Sequence, residues 1–400
     1  MDVVWGEVLP VQLLVLAVAA VAAPLLVDRL ERWVRLPSVV VEIVLGMVIG
    51  PQLLGLVQEH LLFESVSQLG LAMLFFLAGY EIDFRAVRGR PITLAALGWV
   101  VSFVLAAGGL AVAGVDAVLI VAIGLCSTAL GTILPIARDS GLLAGPVGPH
   151  LMAVGAVGEF APIALLALFF SHGQHSGRTT LAIALVGLAV AAAAFGSLRR
   201  SARVSRLLSA TMGTSAQLAV RLSVLVLLAA VLLAAEIGVD IALGAFAAGV
   251  CMHVLLSALD EREEVLVQSK LDGIGFGAMV PVFFVYTGVT FDLDQLAGSP
   301  VALVLIPVFL GAFALVRGVT TSALFARVLP RSQRGALAAF AATELPIVVV
   351  AANTAAERGL VDESIAAAMI GAAMLSVLLF PLIGLKWARM DTKAVSAEAI

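Results

Sequence analysis

The stretch "TILPIARDSGLL", residues 132–143, returns in the second half of the chain as "TELPIVVVAANTAAERGLV", residues 343–361, with Pro-Ile at matching places. Two further pairs keep the same order. "MLFFLAGYEIDFRAVRG" (73–89) is echoed by "VFFVYTGVTFDLDQLAG" (282–298), and "VLGMVIG" (44–50) by "ALGAFAAG" (242–249). One match between apolar segments carries little weight. Three in order, at offsets of about 200 residues, read as an internal repeat.

The medium comes from composition. Of 400 residues, 62% are hydrophobic and 12% charged, with a mean hydropathy of +1.13. Soluble domains carry about twice that charged fraction. Apolar runs of about 18 or more residues recur from end to end, each long enough to cross a ~30 Å hydrocarbon core. We read thirteen spans, at 9–27, 37–57, 65–82, 91–113, 116–138, 148–171, 179–198, 215–236, 239–257, 272–291, 299–327, 333–356 and 362–387. The opening "MDVVWGEVLP" lacks the basic n-region of a signal peptide, so the first run counts as a span. The expected fold is an all-α polytopic membrane protein, seated in a lipid bilayer.

Orientation follows from Lys and Arg. Loops after odd-numbered spans, with the C-terminal tail, hold nineteen of them, including Arg29, Arg85, Arg138, Arg199, Arg262, Arg331 and Lys386. Loops after even-numbered spans hold Arg178 and Arg358. The positive-inside rule then puts the N-terminus outside and the C-terminus in the cytoplasm of a cell-membrane protein.

Residues 1–178, with spans 1–6, thus match 207–390, with spans 8–13; 179–206 supply span 7 and a basic loop as linker, and 391–400 a short tail. Seven spans separate corresponding members, an odd number, so the two halves insert with opposite topology. Inverted repeats with discontinuous helices are a transporter signature. Pro135 in span 5 and Pro346 in span 12 are the expected breaks, because proline gives no N–H to the carbonyls of Gly131 and Ala342. Beside Pro135, "LCSTALGTILP" (125–135) offers Ser127, Thr128, Gly131 and Thr132 as supporting groups, with Thr128 and Thr132 one turn apart on one face.

Such breaks line polar cavities, and span 6 carries a group to match. "LMAVGAVGEFAPIALLALFF" (151–170) has one ionisable residue, Glu159. Left charged and unpaired, it would cost on the order of several kcal/mol. At roughly 1.5 Å per residue, Glu159, Thr128, Arg317 and Glu344 all lie about 15–16 Å from the cytoplasmic ends of their spans. One shared site at the midplane is the simplest reading. Glu159 is read as its ion ligand. Arg317, in "FALVRGVTTSAL" (313–324), keeps its proton and needs an anion, Glu159 or Glu344. Glu344 is read as scaffold ion pair or second ligand, and Glu42 as scaffold. Arg221, Glu236 and Asp240 are close enough to span ends to snorkel. His172 and His175 fall in an outer loop, and His253, Cys126 and Cys251 read as packing residues. Gly46 and Gly50 read as a helix-packing face. Nothing resembles a nucleic-acid surface, and no cofactor is expected.

At these residues a family comes into view. "LPSVVVEIVLGMVIGPQLLG" (36–55), "LFFLAGYEIDF" (74–84), "LCSTALGTILPIARDSGLL" (125–143) and "VPVFFVYTGVTFDL" (280–293) resemble the sodium/proton exchanger superfamily. Within it, they resemble the bacterial monovalent cation:proton antiporter-2 group. The resemblance implies a core with two crossed, interrupted helices, a flanking dimerisation bundle, a homodimer and elevator-like movement. It also implies an ion-binding carboxylate on span 6, usually in an Asn-Asp or Asp-Asp pair. Here that pair is Gly158-Glu159. Members often carry a basic residue on the span matching span 11, here Arg317. Many have nucleotide-binding regulatory domains; with the chain ending soon after span 13, no soluble domain is expected, and a separate regulatory subunit stays open.

The expected activity is exchange of a monovalent cation, Na⁺ or K⁺, for H⁺, with Glu159 holding one or the other. If Glu159 alone exchanges, the cycle is electroneutral. The alternatives are a cation channel and a sodium-coupled transporter of another solute. An intramembrane enzyme lacks support, since neither HExxH nor GxGD occurs.

Overall fold

The fold is taken from a computed structural model that describes residues 8–30, 38–81, 89–170, 196, 202–212, 216–237, 241–257, 259–291 and 293–398. Among these residues the chain is helical throughout, with no strand. From the N-terminus run α1 (Val8–Leu30), α2 (Ser38–Ile49), α3 (Leu61–Glu81), α4 (Arg90–Val112), α5 (Val118–Leu125), α6 (Leu130–Asp139) and α7 (Gly148–Phe170). Then come α8 (Ala202–Met212), α9 (Leu218–Ile237), α10 (Ile241–Leu256), α11 (Glu261–Ile274), α12 (Val280–Val289) and α13 (Leu293–Gly298). The chain closes with α14 (Pro300–Phe313), α15 (Thr320–Leu324), α16 (Arg331–Ala341), α17 (Pro346–Glu357) and α18 (Glu363–Glu398). The π-helical turns Gly275–Met279 and Ala314–Val319 join α11 to α12 and α14 to α15.

Among the described residues, nine helices are long and apolar enough to cross a membrane, and Ser38–Ile49, Val118–Leu134 and Ile241–Leu256 are shorter apolar helices. Apart from residue 196, the expected span 7 lies outside the described residues, as do His172, His175 and Asp240. Side chains such as Leu14, Val18 and Leu25 of α1, or Leu225 and Leu232 of α9, are more than half exposed. In water such contiguous apolar surface would be a liability; in a bilayer it is the lipid-facing wall.

The breaks differ from their expected places. α5 ends at Leu125 and α6 begins at Leu130; α16 ends at Ala341 and α17 begins at Pro346. The non-helical segments are therefore 126–129 and 342–345. Pro135 lies inside α6, not at a break. Pro346 is the first residue of α17, where the missing N–H would have had no helical partner anyway. The sequence echo pairs Pro135 with Pro346, whereas the breaks pair Leu130 with Pro346. Thr128 consequently stands outside any helix and Thr132 within α6, so they do not share a helix face.

Two sets of helices each pack mainly among themselves. In one, α1, α2 and α12 form a row, joined to α3, α10 and α9; in the other, α4, α5 and α7 adjoin α14 and α16–α18. The first set closes on glycines. A Cβ on Gly46 would lie 1.9 Å from Val285 O, and one on Gly288 2.0 Å from Ile43 O, so α2 and α12 touch backbone to backbone. The same holds between α3 and α10, where a Cβ on Gly79 would lie 2.2 Å from Phe246 O and one on Gly249 2.0 Å from Phe76 O. Close approach of small residues is how helices gain packing energy in lipid.

Gly46→Ala is therefore expected to lower the thermal unfolding midpoint in detergent by the equivalent of about 1–3 kcal/mol, the usual cost of overpacking. Gly108→Ala, where an added Cβ meets nothing within 4 Å, serves as control. Equal midpoints for the two variants would contradict this account of the contact.

Candidate functional site

A four-residue gap in a membrane helix exposes backbone groups that water cannot reach, and protein must satisfy them. Here the two gaps satisfy each other. Ala129 N donates to Thr343 O at 2.9 Å, and Thr128 Oγ1 donates to Ala341 O at 2.8 Å. Trp99 Nε1 of α4 caps Cys126 O at 2.9 Å, and Glu344 N donates to Ser376 Oγ of α18 at 2.9 Å. Thr128 N donates to Gly158 O of α7 at 3.0 Å. That carbonyl is available because Pro162, four residues on, has no N–H to give it. Pro162 went unnoticed in the sequence, although a proline four residues after Gly158, beside the one carboxylate of the span, was the available signal.

Arg317 enters from the π-helical turn, a distortion common at functional sites. Its carbonyl neighbour Val316 O accepts from Ser102 Oγ at 2.7 Å. Arg317 is 1% exposed. Nη2 donates to Thr128 Oγ1 at 2.7 Å and to Val154 O at 3.4 Å, and Nε lies 3.3 Å from the same hydroxyl. A Cβ at residue 158 would sit 2.5 Å from Thr128 Oγ1 and 2.7 Å from Arg317 Nη2. The missing side chain of Gly158 is thus what admits the guanidinium. The expected pairing of Arg317 with Glu159 or Glu344 is not a contact. Ion pairs are found elsewhere, where Arg138 meets Glu81 (3.3 Å) and Asp272 (3.9 Å).

The carboxylates are both buried and both incompletely partnered. Glu344 Oε2 accepts from Ser127 Oγ at 3.1 Å, while its Oε1 is buried with no hydrogen-bond partner. Glu159 is 1% exposed and points into protein, and its Oε2 is also buried with no partner. Thr132 Oγ1 shares that condition. Ser127, Thr128, Arg317 and Glu344 therefore form one cluster around the gaps, with Gly158 against it and Glu159 next in the chain. Gly131 sits in the first turn of α6 against Leu74. Glu81, paired with Arg138 at 3.3 Å, is a residue the sequence reading passed over inside "LFFLAGYEIDF". Cys126 and Cys251 are buried free thiols, and His253 packs edge-on to Tyr80 with 5.8 Å between ring centres.

The family described as "Sodium/hydrogen exchanger, transmembrane" matches residues 16–386. The chain belongs to the sodium/hydrogen exchanger family. Among similar exchangers is YjbQ of Bacillus subtilis (strain 168), provisionally named a Na(+)/H(+) antiporter, 29% identical over 318 residues. That match covers 74% of this chain and 50% of the relative, so the chain spans about half that relative's length. The Na(+)/H(+)-K(+) antiporter GerN of Bacillus cereus is 25% identical over 272 residues, 66% of this chain and 67% of its own. In fold, the chain is similar to the sodium proton antiporter MjNhaP1 of Methanocaldococcus jannaschii, with a TM-score of 0.66 at 16% identity. The likeness covers 96% of this exchanger-family chain and 98% of that one.

Gly158→Ala is expected to displace Arg317 from Thr128 and to destabilise the protein by about 1–3 kcal/mol, read as thermal unfolding in detergent. Gly273→Ala, with open space at its Cβ, should leave the midpoint unchanged. A Gly158→Ala midpoint equal to wild type would mean that the guanidinium does not need that gap.

Proposed function

We propose that this chain exchanges a monovalent cation, Na⁺ or K⁺, for H⁺ across the cell membrane, with Glu159 as the shared binding group. The observation that carries this reading is the buried, unpartnered Glu159 Oε2, on the helix whose Gly158 holds the first gap and the guanidinium. A buried anion without partner is expensive; a proton or a dehydrated cation each makes the carboxylate neutral. Either loaded form can cross the apolar barrier, and the empty form crosses rarely. Competition for one carboxylate then couples the two fluxes.

Arg317 cannot serve as the exchanging group, because guanidinium keeps its proton in proteins. Its charge is answered by Glu344, which Ser127 holds in the same cluster. With these two fixed, one H⁺ moves per cation and the cycle is electroneutral. Thr128, Ser127 and Thr132 supply oxygens that replace part of the cation's hydration, and the Gly131 carbonyl, left without its helical N–H by Pro135, adds to that set.

Movement is read as elevator-like. The gaps, α7 and Arg317 belong to one helix set; α1–α3 and α9–α12 form the other, and the seam between them is sparsely bridged. Arg138 at the end of α6 pairs across it with Glu81 of α3 and Asp272 of α11, so these pairs break in each cycle. The swapped glycine contacts, α2 with α12 and α3 with α10, support inverted repeats. Thirteen spans, crossed gaps, an outside N-terminus, a cytoplasmic C-terminus and a homodimer complete the proposal. A separate regulatory subunit fits it equally well.

In proteoliposomes, Na⁺ or K⁺ should dissipate an imposed ΔpH, and Glu159→Gln should abolish this while preserving the folded protein. Retained exchange removes Glu159 from the mechanism. Cation flux without a counter-moving proton would identify a channel instead. An imposed potential should leave the exchange rate unaltered, since each uncompensated charge would gain about 2.3 kcal/mol per 100 mV. A potential-driven rate overturns the one-for-one count.

A further inference from the structure

We infer that a groove beside the second gap binds an anionic phospholipid, with the phosphate on Arg331 and Arg334 and an acyl chain along the apolar wall. The groove, of about 450 Å³, runs between the π-helical turn, α16 and α18. Val319, Ala338, Phe380 and Ile383 line its length, and it reaches Gly318, next to Arg317, and Ala342, the first residue of the gap. Arg331, Arg334 and Ser322 line it as well. Trp387 closes one wall by lying over Gly335, where an added Cβ would come within 2.7 Å of its ring.

Three observations point to an anion at the arginines. Arg334 Nε is buried with no hydrogen-bond partner, and so is the neighbouring Ser332 Oγ. Neither arginine has a carboxylate within 4.0 Å among the described residues. Both occupy the first turn of α16, which has no acidic residue there and no side-chain cap. Cations are disfavoured at a helix N-terminus, where unpaired N–H groups and the helix dipole favour an anion. A phosphate would accept from the guanidinium groups and the backbone together.

The surroundings select a lipid over a free anion. Leu315, Val319, Leu379 and Ile383 beside the groove are all exposed and apolar, which in a bilayer-embedded protein means contact with acyl chains. By the Lys/Arg asymmetry the arginines belong to the cytoplasmic leaflet. The bound chain would lie against the far side of the two elements that hold Arg317 and Glu344, so it braces the site without entering it. This inference does not depend on which ion is exchanged.

The test is native mass spectrometry of the purified protein titrated with phosphatidylglycerol, with phosphatidylcholine of the same chains, and with inorganic phosphate. Wild type should bind phosphatidylglycerol preferentially, and R331A/R334A should bind it about tenfold more weakly. Ile383→Trp, which fills the groove and keeps both arginines, should lose the lipid too; it also serves if the double variant does not fold. Equal binding of the two lipids, or undiminished phosphatidylglycerol binding in the variants, overturns the inference. Inorganic phosphate binding as tightly as phosphatidylglycerol assigns the arginines to a free anion and also overturns it.

Discussion

An arginine that cannot become neutral is buried in the protein with its guanidinium on a threonine hydroxyl, and much of the site is arranged around that contact. Arg317 reaches Thr128 Oγ1 at 2.7 Å. For that, residue 128 must leave the helix, residue 158 must have no side chain, and the helix carrying Arg317 must widen into a π turn. Pro162 adds the last piece by releasing Gly158 O to bind Thr128 N. Removing any one of these would leave either a buried charge or an open backbone group, each costing on the order of a few kcal/mol.

Once the cation is fixed, the two carboxylates separate into different tasks. Glu344 has a hydroxyl donor in Ser127 and a backbone anchor in Ser376. Its proposed task is to answer the guanidinium's charge through the cluster, without touching it. Glu159 has a buried oxygen that no protein donor satisfies. In most folded proteins such an atom would be a defect. On the proposed exchange it is the atom that the proton or the cation takes, and the cost of leaving it bare would keep the unloaded carrier from crossing.

Reading the sequence recovered what depends on apolar runs. Among the described residues nine of the expected spans fall on helices long and apolar enough to cross a membrane, and spans 2, 5 and 9 fall on shorter apolar helices, because the length of an apolar run is a one-dimensional property. Glu159, Arg317, Glu344, Ser127 and Thr128 were legible as polar residues in the wrong solvent. The gap in span 5 was misplaced because proline was taken as the breaker, yet α6 accommodates Pro135, while 126–129 are held open by Trp99, Gly158 and Thr343 from other elements. No local pattern reports a tertiary hydrogen bond. Glu81 was missed for a related reason: at the end of an apolar helix it reads as a snorkelling charge, and only the approach of Arg138 and Asp272 marks it as part of the seam. The missing partner of Arg317 follows the same logic, since equal depth in the membrane does not mean equal position in the plane.

The central claim is that one carboxylate is neutralised by either of two competitors. It is tested most directly by proton release in detergent solution under weak buffering, with the protein loaded with H⁺ and then given saturating Na⁺ or K⁺. The account predicts one proton released per protomer from wild type and none from Glu159→Gln, with Glu344→Gln, if folded, still releasing one. Release that persists without Glu159, or cation binding that expels no proton at all, would contradict it.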